Sequence, residues 1–308
     1  MKHNKHLDIN GWLILDKPQN MSSTSATGLT RHLFNANKNG HTGTLDPFAT
    51  GVLPIAFGEA TKLISFITED IKEYAFTLEF GFDTTTDDIE GEKVHSSSYI
   101  PSIDEILKVL PTFLGDIWQT PPSYSAIKIN GKRAYDLARK GEKFEIPQRC
   151  VHIYSLNFIR QLNENSFDFR VTCSKGTYIR TLGRDIALKL NTYGHLTALR
   201  RLKCSIFSIE DTISLENLKN MEYKALTQDI LLPVETALRD IAALAVSAED
   251  AAKLKLGQGL SLKNYDIQNH TGDIMAAFSG SCLVALVRID EKKISPIRVF
   301  NLTTTQGK

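Results

Sequence analysis

From Tyr74 to Phe80 every second residue is large and apolar: Tyr74, Phe76, Leu78 and Phe80. That period places all four on one face of a strand with a single buried side. Ile153 to Ile159 and Phe167 to Cys173 alternate in the same way, split by the turn-like Asn163-Glu164-Asn165-Ser166. Ile9 to Leu15 and Val52 to Phe57 are short apolar runs that predict buried strands, and His195 to Phe207 predicts a strand studded with basic residues.

Helical spacing interrupts these strands. Ser22 or Ser23 caps a helix carrying Ala26, Leu29 and Leu33, and Lys38-Asn39-Gly40 closes it with a turn. Ala60 to Ile67 predicts a short helix. Ser102-Ile103-Asp104-Glu105 is a capping box ahead of Ile106, Leu107 and Leu110. Thr177 is the candidate cap of a helix whose Ile179, Leu182 and Ile186 face inward. Ala126 to Tyr135 predicts a hairpin around Asn130-Gly131. Strands broken by isolated helices predict an α+β fold with a mainly antiparallel sheet rather than a doubly wound one. After about Asp240 the composition shifts. A short helix from Ser247 to Leu256 ends at Gly257, and small strands at Ile274–Phe278, Leu283–Ile289 and Ile297–Leu302 predict a β-rich C-terminal module. The division is therefore placed at residues 1–240 and 241–308.

A chain of 308 residues with 42% hydrophobic and 23% charged residues has the makeup of a globular protein large enough for two domains. Only the ends, Met1 to Leu7 and Thr303 to Lys308, are polar enough to suggest tails. The apolar run Trp12 to Leu15 is too short for a signal peptide, and no stretch reaches the length of a membrane span, so the cytoplasm is the expected compartment. Cys150, Cys173, Cys204 and Cys282 form no CxxC pair, which predicts reduced, buried thiols and no zinc site. The formal net charge is +1, but it is unevenly spread. Glu69 to Glu92 is strongly acidic, while Arg170 to Lys203 is strongly basic, with a second basic stretch from Lys128 to Arg149. One phosphate-facing surface with an acidic flank would look like this; so would ordinary solvated faces, and charge alone favours the latter.

Gly43-Thr44-Leu45-Asp46-Pro47-Phe48-Ala49-Thr50-Gly51 is the most informative segment. Its glycines permit close approach of a ligand and Pro47 stiffens the turn, so one carboxylate is presented from a rigid loop. On these grounds alone the reading of Asp46-Pro47 as a common turn without chemistry is the better one.

The wider pattern decides between them. His41-Thr-Gly-Thr-Leu-Asp-Pro-Phe-Ala-Thr-Gly-Val-Leu53 resembles the signature loop of the TruB family, the tRNA pseudouridine-55 synthases. Gly11-Trp-Leu-Ile-Leu-Asp-Lys-Pro18, Gly58-Glu-Ala-Thr-Lys62, Ser125-Ala-Ile-Lys128 with Gly131-Lys132, Cys173-Ser-Lys-Gly-Thr-Tyr-Ile-Arg180 and Leu199-Arg-Arg-Leu202 resemble further family motifs in the family's order. The resemblance implies a pseudouridine synthase fold followed by a small PUA-like RNA-binding domain. It implies isomerisation of a flipped-out uridine in the T loop of tRNA, with no cofactor and no metal. By position in the motifs, Asp46 is the implied catalytic residue. Arg180 would pair with it and favour the ionised carboxylate. Tyr74 would stack on the uracil, with Leu199 packing on its other side. Tyr178 would support the pocket and His41 would seat the nucleotide. Lys17 and Pro18 would brace the loop, and Lys175, Arg200 and Arg201 are candidate phosphate contacts.

Without the resemblance Tyr74 and Leu199 read as core residues. Two other functions use the same groove: an RNA chaperone that refolds tRNA without chemistry, alone or beside the isomerase activity, and the guide-RNA-dependent dyskerin branch of the family. The chain has no long basic tail of the dyskerin kind, so action as a monomer on the tRNA T stem-loop, without an obligate protein partner, is expected.

Overall fold

The computed structural model describes residues 6–67, 71–125, 127–129, 131–142, 144–221, 230–265, 267 and 272–302. The polar ends at 1–5 and 303–308, Glu69, Asp70, Ala126 and Asn130 lie outside them.

The strands are β1 (Gly11–Lys17), β2 (Asn39–His41), β3 (Thr50–Phe57), β4 (Lys72–Phe80), β5 (Phe82–Thr84), β6 (Lys93–Ser96), β7 (Gly115–Gln119), β8 (Lys128–Ile129), β9 (Lys132–Arg133) and β10 (Arg149–Gln161). They continue as β11 (Ser166–Cys173), β12 (Gly194–Cys204), β13 (Phe207–Ser208), β14 (Ile213–Ser214), β15 (Ala243–Ala245), β16 (Leu260–Ser261), β17 (Ile274–Ser279), β18 (Cys282–Ile289) and β19 (Lys293–Val299). A ten-stranded sheet runs β14-β1-β3-β12-β4-β11-β10-β7, with β2 added to β3 and β13 to β12. Its pairs are antiparallel except β1/β14 and β3/β12. The fold is thus α+β with a mixed, mainly antiparallel sheet. A second sheet, β15-β17-β18-β19-β16, occupies the C-terminal region.

The β3/β12 contact is short, pairing only Arg200 with Thr50 and Arg201 with Gly51. The Asp46 loop enters the sheet beside it. Gly51 has φ of 101° and an added Cβ would lie 2.2 Å from the Arg201 carbonyl oxygen, so only glycine lets the strands meet here. On one face, Tyr74, Phe76, Leu78 and Phe80 pack with Leu45, Phe48, Ile106, Leu182 and Ile186, joining the sheet to the helices Ile103–Val109 and Ile179–Lys189. A second core is shared by β1, β3, β17 and β18 through Trp12, Val52, Ala276, Leu286 and Phe300, so the smaller sheet is docked on the larger one.

Several local expectations change. The first helix, Ser23–Leu33, is capped by the Ser22 hydroxyl as expected, but Asn39–His41 forms a strand rather than a closing turn. Thr177 is not a cap: its hydroxyl donates to the Ser174 carbonyl, and Tyr178 takes the N-cap position without a side-chain bond. The basic strand ends at Cys204, where Ser205 adopts φ of 59° before β13. The expected hairpin is present as Lys128 opposite Arg133, but it gives way at Ala134 to a short helix. Strand β19 begins at Lys293, ahead of the expected Ile297, because Ile294 pairs with Ile289. Cys173 and Cys204 are buried, whereas Cys150 is exposed on the outer side of β10.

Candidate active site

Arg180 stands in the first turn of the Ile179–Lys189 helix, where the helix dipole disfavours a cation. Four carbonyl or carboxylate partners compensate. Its Nη2 donates to Asp46 Oδ1 at 3.0 Å and to the Tyr124 carbonyl at 3.0 Å, and Nη1 donates to the Thr86 carbonyl at 2.8 Å. Nε lies 2.9 Å from Asp46 Oδ2, in charge contact but off-line for a hydrogen bond. Nη1 is also 3.2 Å from Asp88 Oδ2. The Arg180 side chain is 4% exposed and that of Asp88 1%, while Asp46 keeps 33%. The guanidinium therefore bridges one enclosed carboxylate and one that still reaches solvent.

Burial pushes the Asp46 carboxyl up, Arg180 opposes this, and the neighbouring Asp88 adds to it. Burial and a fixed charge partner thus act on this carboxyl in opposite directions, a combination that recurs at functional sites.

The loop around Asp46 is held from two sides. Lys17 is fully buried, and its Nζ donates to the carbonyls of Pro18 (2.8 Å), Met21 (2.6 Å) and Pro47 (3.2 Å). Burial lowers its pKa to about 8. Lys17 thus ties the residue after Asp46 to the end of β1, and Pro18 supplies one of the anchoring carbonyls. From the other side, Arg201 donates Nε to the Val52 carbonyl at 2.7 Å and Nη2 to the Gly43 carbonyl at 3.3 Å. Arg201 is 1% exposed, which removes it as a phosphate contact. A buried guanidinium can persist there because it bonds the two flanks of the loop and the Tyr74 hydroxyl.

Tyr74 and Leu199 lie in the same core as Leu45 and Phe48, on the face of the sheet that carries Asp46. Burial raises the Tyr74 phenol above its ordinary range, so it is neutral at physiological pH. His41 is half-buried; burial and then Arg201 lower its pKa, and its Nδ1 has no partner among the described residues. The Tyr178 backbone is held at both ends by the Gln119 amide, at 3.0 and 3.3 Å, and Arg149 lies 5.1 Å over its ring. Arg200 is half-buried and bidentate to Asp16 at 2.7 and 3.1 Å, and it also donates to Thr50 Oγ1. Lys175 is exposed in the turn before the Ile179–Lys189 helix.

Part of the acidic stretch is joined to part of the basic one: Glu73 with Arg170, Asp87 with Arg184, and Asp88 with Arg180. Asp88 is the residue that sequence reasoning missed, since nothing local separates it from its acidic neighbours. Two cavities flank the centre, neither lined by Asp46. One, of about 550 Å³, is lined by Thr85, Tyr124, Ala138, Gly141 and Phe144. The other, of about 570 Å³, opens on the sheet between Thr50, Thr77, Arg170 and Leu202.

A family model described as TruB family pseudouridylate synthase (N terminal domain) matches residues 31–179, and one described as tRNA pseudouridylate synthase B C-terminal domain matches residues 180–239. A protein of Caulobacter vibrioides named tRNA pseudouridine synthase B is 46% identical over 301 residues, covering 96% of this chain and 97% of that protein. One of the same name from Ehrlichia canis is 41% identical over 296 residues, covering 95% and 98%. The fold is similar to a chain of a Cbf5-Nop10-Gar1 complex, with a TM-score of 0.71 at 24% identity, covering 96% of this chain and 85% of that one.

Proposed function

The chain belongs to the TruB family of pseudouridylate synthases, and from that membership we propose that it converts uridine 55 in the T loop of tRNA to pseudouridine, with Asp46 carrying the chemistry. The observation that supports this most is the Asp46 carboxylate, one-third exposed and steadied by the buried Arg180. The reaction breaks the N1–C1′ bond and joins C5 to C1′. The proton on C5 leaves and N1 gains one, so no atom is added or lost. Such a balance calls for a positioned carboxylate and a pocket for a flipped base.

Asp46 acts as the nucleophile or as a base at the sugar. Arg180 holds its orientation and favours its charged form. Tyr74 and Leu199 bracket the uracil, and Tyr74 does so as a neutral phenol. His41 seats the nucleotide, Tyr178 supports the pocket, Lys17 and Pro18 brace the loop, and Lys175 and Arg200 meet phosphates. For Arg200 this requires sharing its guanidinium with Asp16. Residues 1–240 form the catalytic domain, and 241–308 a small PUA-like domain that adds RNA contacts. The protein works in the cytoplasm as a monomer on tRNA. None of the described helices is long and apolar enough to cross a membrane.

Incubation with tRNA tritiated at uridine C5 tests the assignment. One tritium per tRNA should be released, and none from a tRNA with cytidine at position 55. Tight binding without release would favour the chaperone reading; release from other uridines would refute the site.

A further inference from the structure

We propose that Asp87 and Arg184 are a positioning pair for this reaction, a second ion pair that fixes the angle at which Arg180 meets Asp46. The inference rests on the pseudouridine synthase reading of the site.

Arg180 and Arg184 lie four residues apart on one helix and so share a face. They grip two successive carboxylates, Asp88 and Asp87. In an extended chain neighbouring side chains point to opposite sides. Here Asp87 has φ of 59°, a left-handed conformation that Asp tolerates, and both carboxylates reach the same helix. The segment is pinned elsewhere as well. The Thr84 hydroxyl donates to the Asp88 carbonyl at 2.6 Å, and Leu196 N of β12 donates to the Asp87 carbonyl at 3.0 Å.

Arg184 Nη1 donates to Asp87 Oδ2 at 3.0 Å and Nη2 to the Thr120 carbonyl at 3.4 Å. The Asp87 side chain is 11% exposed and that of Arg184 26%, so this is not a solvent-screened surface pair. The helix is thereby clamped at two points against the strand-end loop that also supplies the Thr86 carbonyl to Arg180. Core packing and the bonds of Arg180 already seat the helix; the Asp87–Arg184 pair adds a restraint one turn further on, which sets the fine orientation of the turn that carries Arg180. A small rotation there changes the bidentate approach to Asp46, which is the kind of misplacement to which catalytic rates are sensitive.

The charged groups facing Asp87 are Arg184, Arg180 and Asp185 on the helix and Asp83 on β5. His195 of β12 turns its Nδ1 to the Phe82 carbonyl, 3.1 Å away. Burial, only partly offset by the arginines, pushes the Asp87 carboxyl up to about 6. The pair is therefore intact at neutral pH and loosens below about pH 6.

The test is single-turnover tritium release by wild type, Asp87→Asn, Arg184→Gln, the double variant and Arg184→Lys, with tRNA affinity and the thermal midpoint measured alongside. The rate of Asp87→Asn and of Arg184→Gln should fall about tenfold at neutral pH, with affinity within about twofold of wild type. The double variant, whose two amides can hydrogen-bond, should be no slower than the slower single variant. Arg184→Lys should recover part of the rate. Wild type should lose rate near pH 6 through a step that Asp87→Asn lacks. Single variants as fast as wild type, or losses that multiply in the double variant, or losses that follow affinity, would overturn the inference. A wild type that releases no tritium would overturn the proposed function, and this inference with it; an active wild type matched by its variants overturns the inference alone.

Discussion

Replacing Lys17 by Met removes a buried ammonium while keeping most of the side-chain volume, and its effect on stability should depend on pH in a direction opposite to intuition. Lowering the Lys17 pKa from 10.5 to about 8 means that the folded chain holds the charged form at a cost. At about 1.4 kcal/mol per pH unit, that cost is about 3 kcal/mol. That cost is a net figure with the hydrogen bonds included, so the loss on substitution comes from the carbonyls of Pro18, Met21 and Pro47, left without their donor at about 1–3 kcal/mol each. Lys17→Met should therefore be destabilised at pH 7 by about 2 kcal/mol or more. Below about pH 8 the folded and unfolded chains both carry the proton, so the cost is constant. Between about 8 and 10.5 the folded chain has released it while the unfolded chain still holds it, so wild-type stability gains with rising pH. The Met variant lacks this gain. Groups that do not interact with Lys17 titrate alike in both proteins and cancel in the difference. Urea unfolding at pH 7 and pH 10 should show the gap between wild type and variant widening by about 2.5 kcal/mol. A gap that stays constant or narrows would refute a buried, costly charge at this position. Because Pro47 loses its tether, turnover should also fall more than tRNA binding does.

Arg180→Met should abolish turnover by a factor of about 10³ or more and cost about 3–5 kcal/mol, because it strands the enclosed Asp88 carboxylate; turnover within tenfold of wild type would contradict the bridging role. Arg201→Ala should destabilise the fold by about 3 kcal/mol through the unpaired Gly43 and Val52 carbonyls, yet leave the salt dependence of tRNA binding unchanged. Lys175→Ala should do the reverse, making the slope of log affinity against log salt shallower by about one; salt titrations of the two variants separate the assignments, and an altered slope for Arg201→Ala would return it to the interface.

Much of the scaffold was legible because its signals are local. The alternation at Tyr74–Phe80 and the capping box at Ser102–Glu105 need no distant partner, and both are present as expected. The same holds for the helix expected from Ser247 to Leu256, which spans Ala248–Lys255 with Gly257 at φ of 77° beyond its end. What failed depended on tertiary context. Thr177 has the right chemistry for a cap, but the Ser174 carbonyl takes its hydroxyl. Asn39 and Gly40 look like a turn, yet pairing with β3 draws them into the sheet.

Charge was the least readable property. Adjacent arginines at 200 and 201 look alike in sequence, but they alternate across a strand, so one meets Asp16 at the surface and the other is walled in. The carbonyls of Gly43 and Val52 make that burial tolerable, and nothing near Arg201 in the chain announces them. Asp88 was hidden in an acidic run for the same reason: its significance comes from Arg180, which only the fold brings to it. The Asp46 loop itself was conspicuous, but its two braces differ in legibility. Lys17 precedes a proline in a motif, whereas Arg201 read as a surface cation.

The most direct measurement compares Asp46→Asn with wild type, following tritium release from uridine C5 in tRNA and tRNA affinity in the same preparation. The amide keeps the size of the carboxylate and removes its charge. Release should drop below detection while affinity stays within about threefold of wild type, because other residues are assigned to holding the RNA. Release at the wild-type rate would show that the chemistry lies elsewhere.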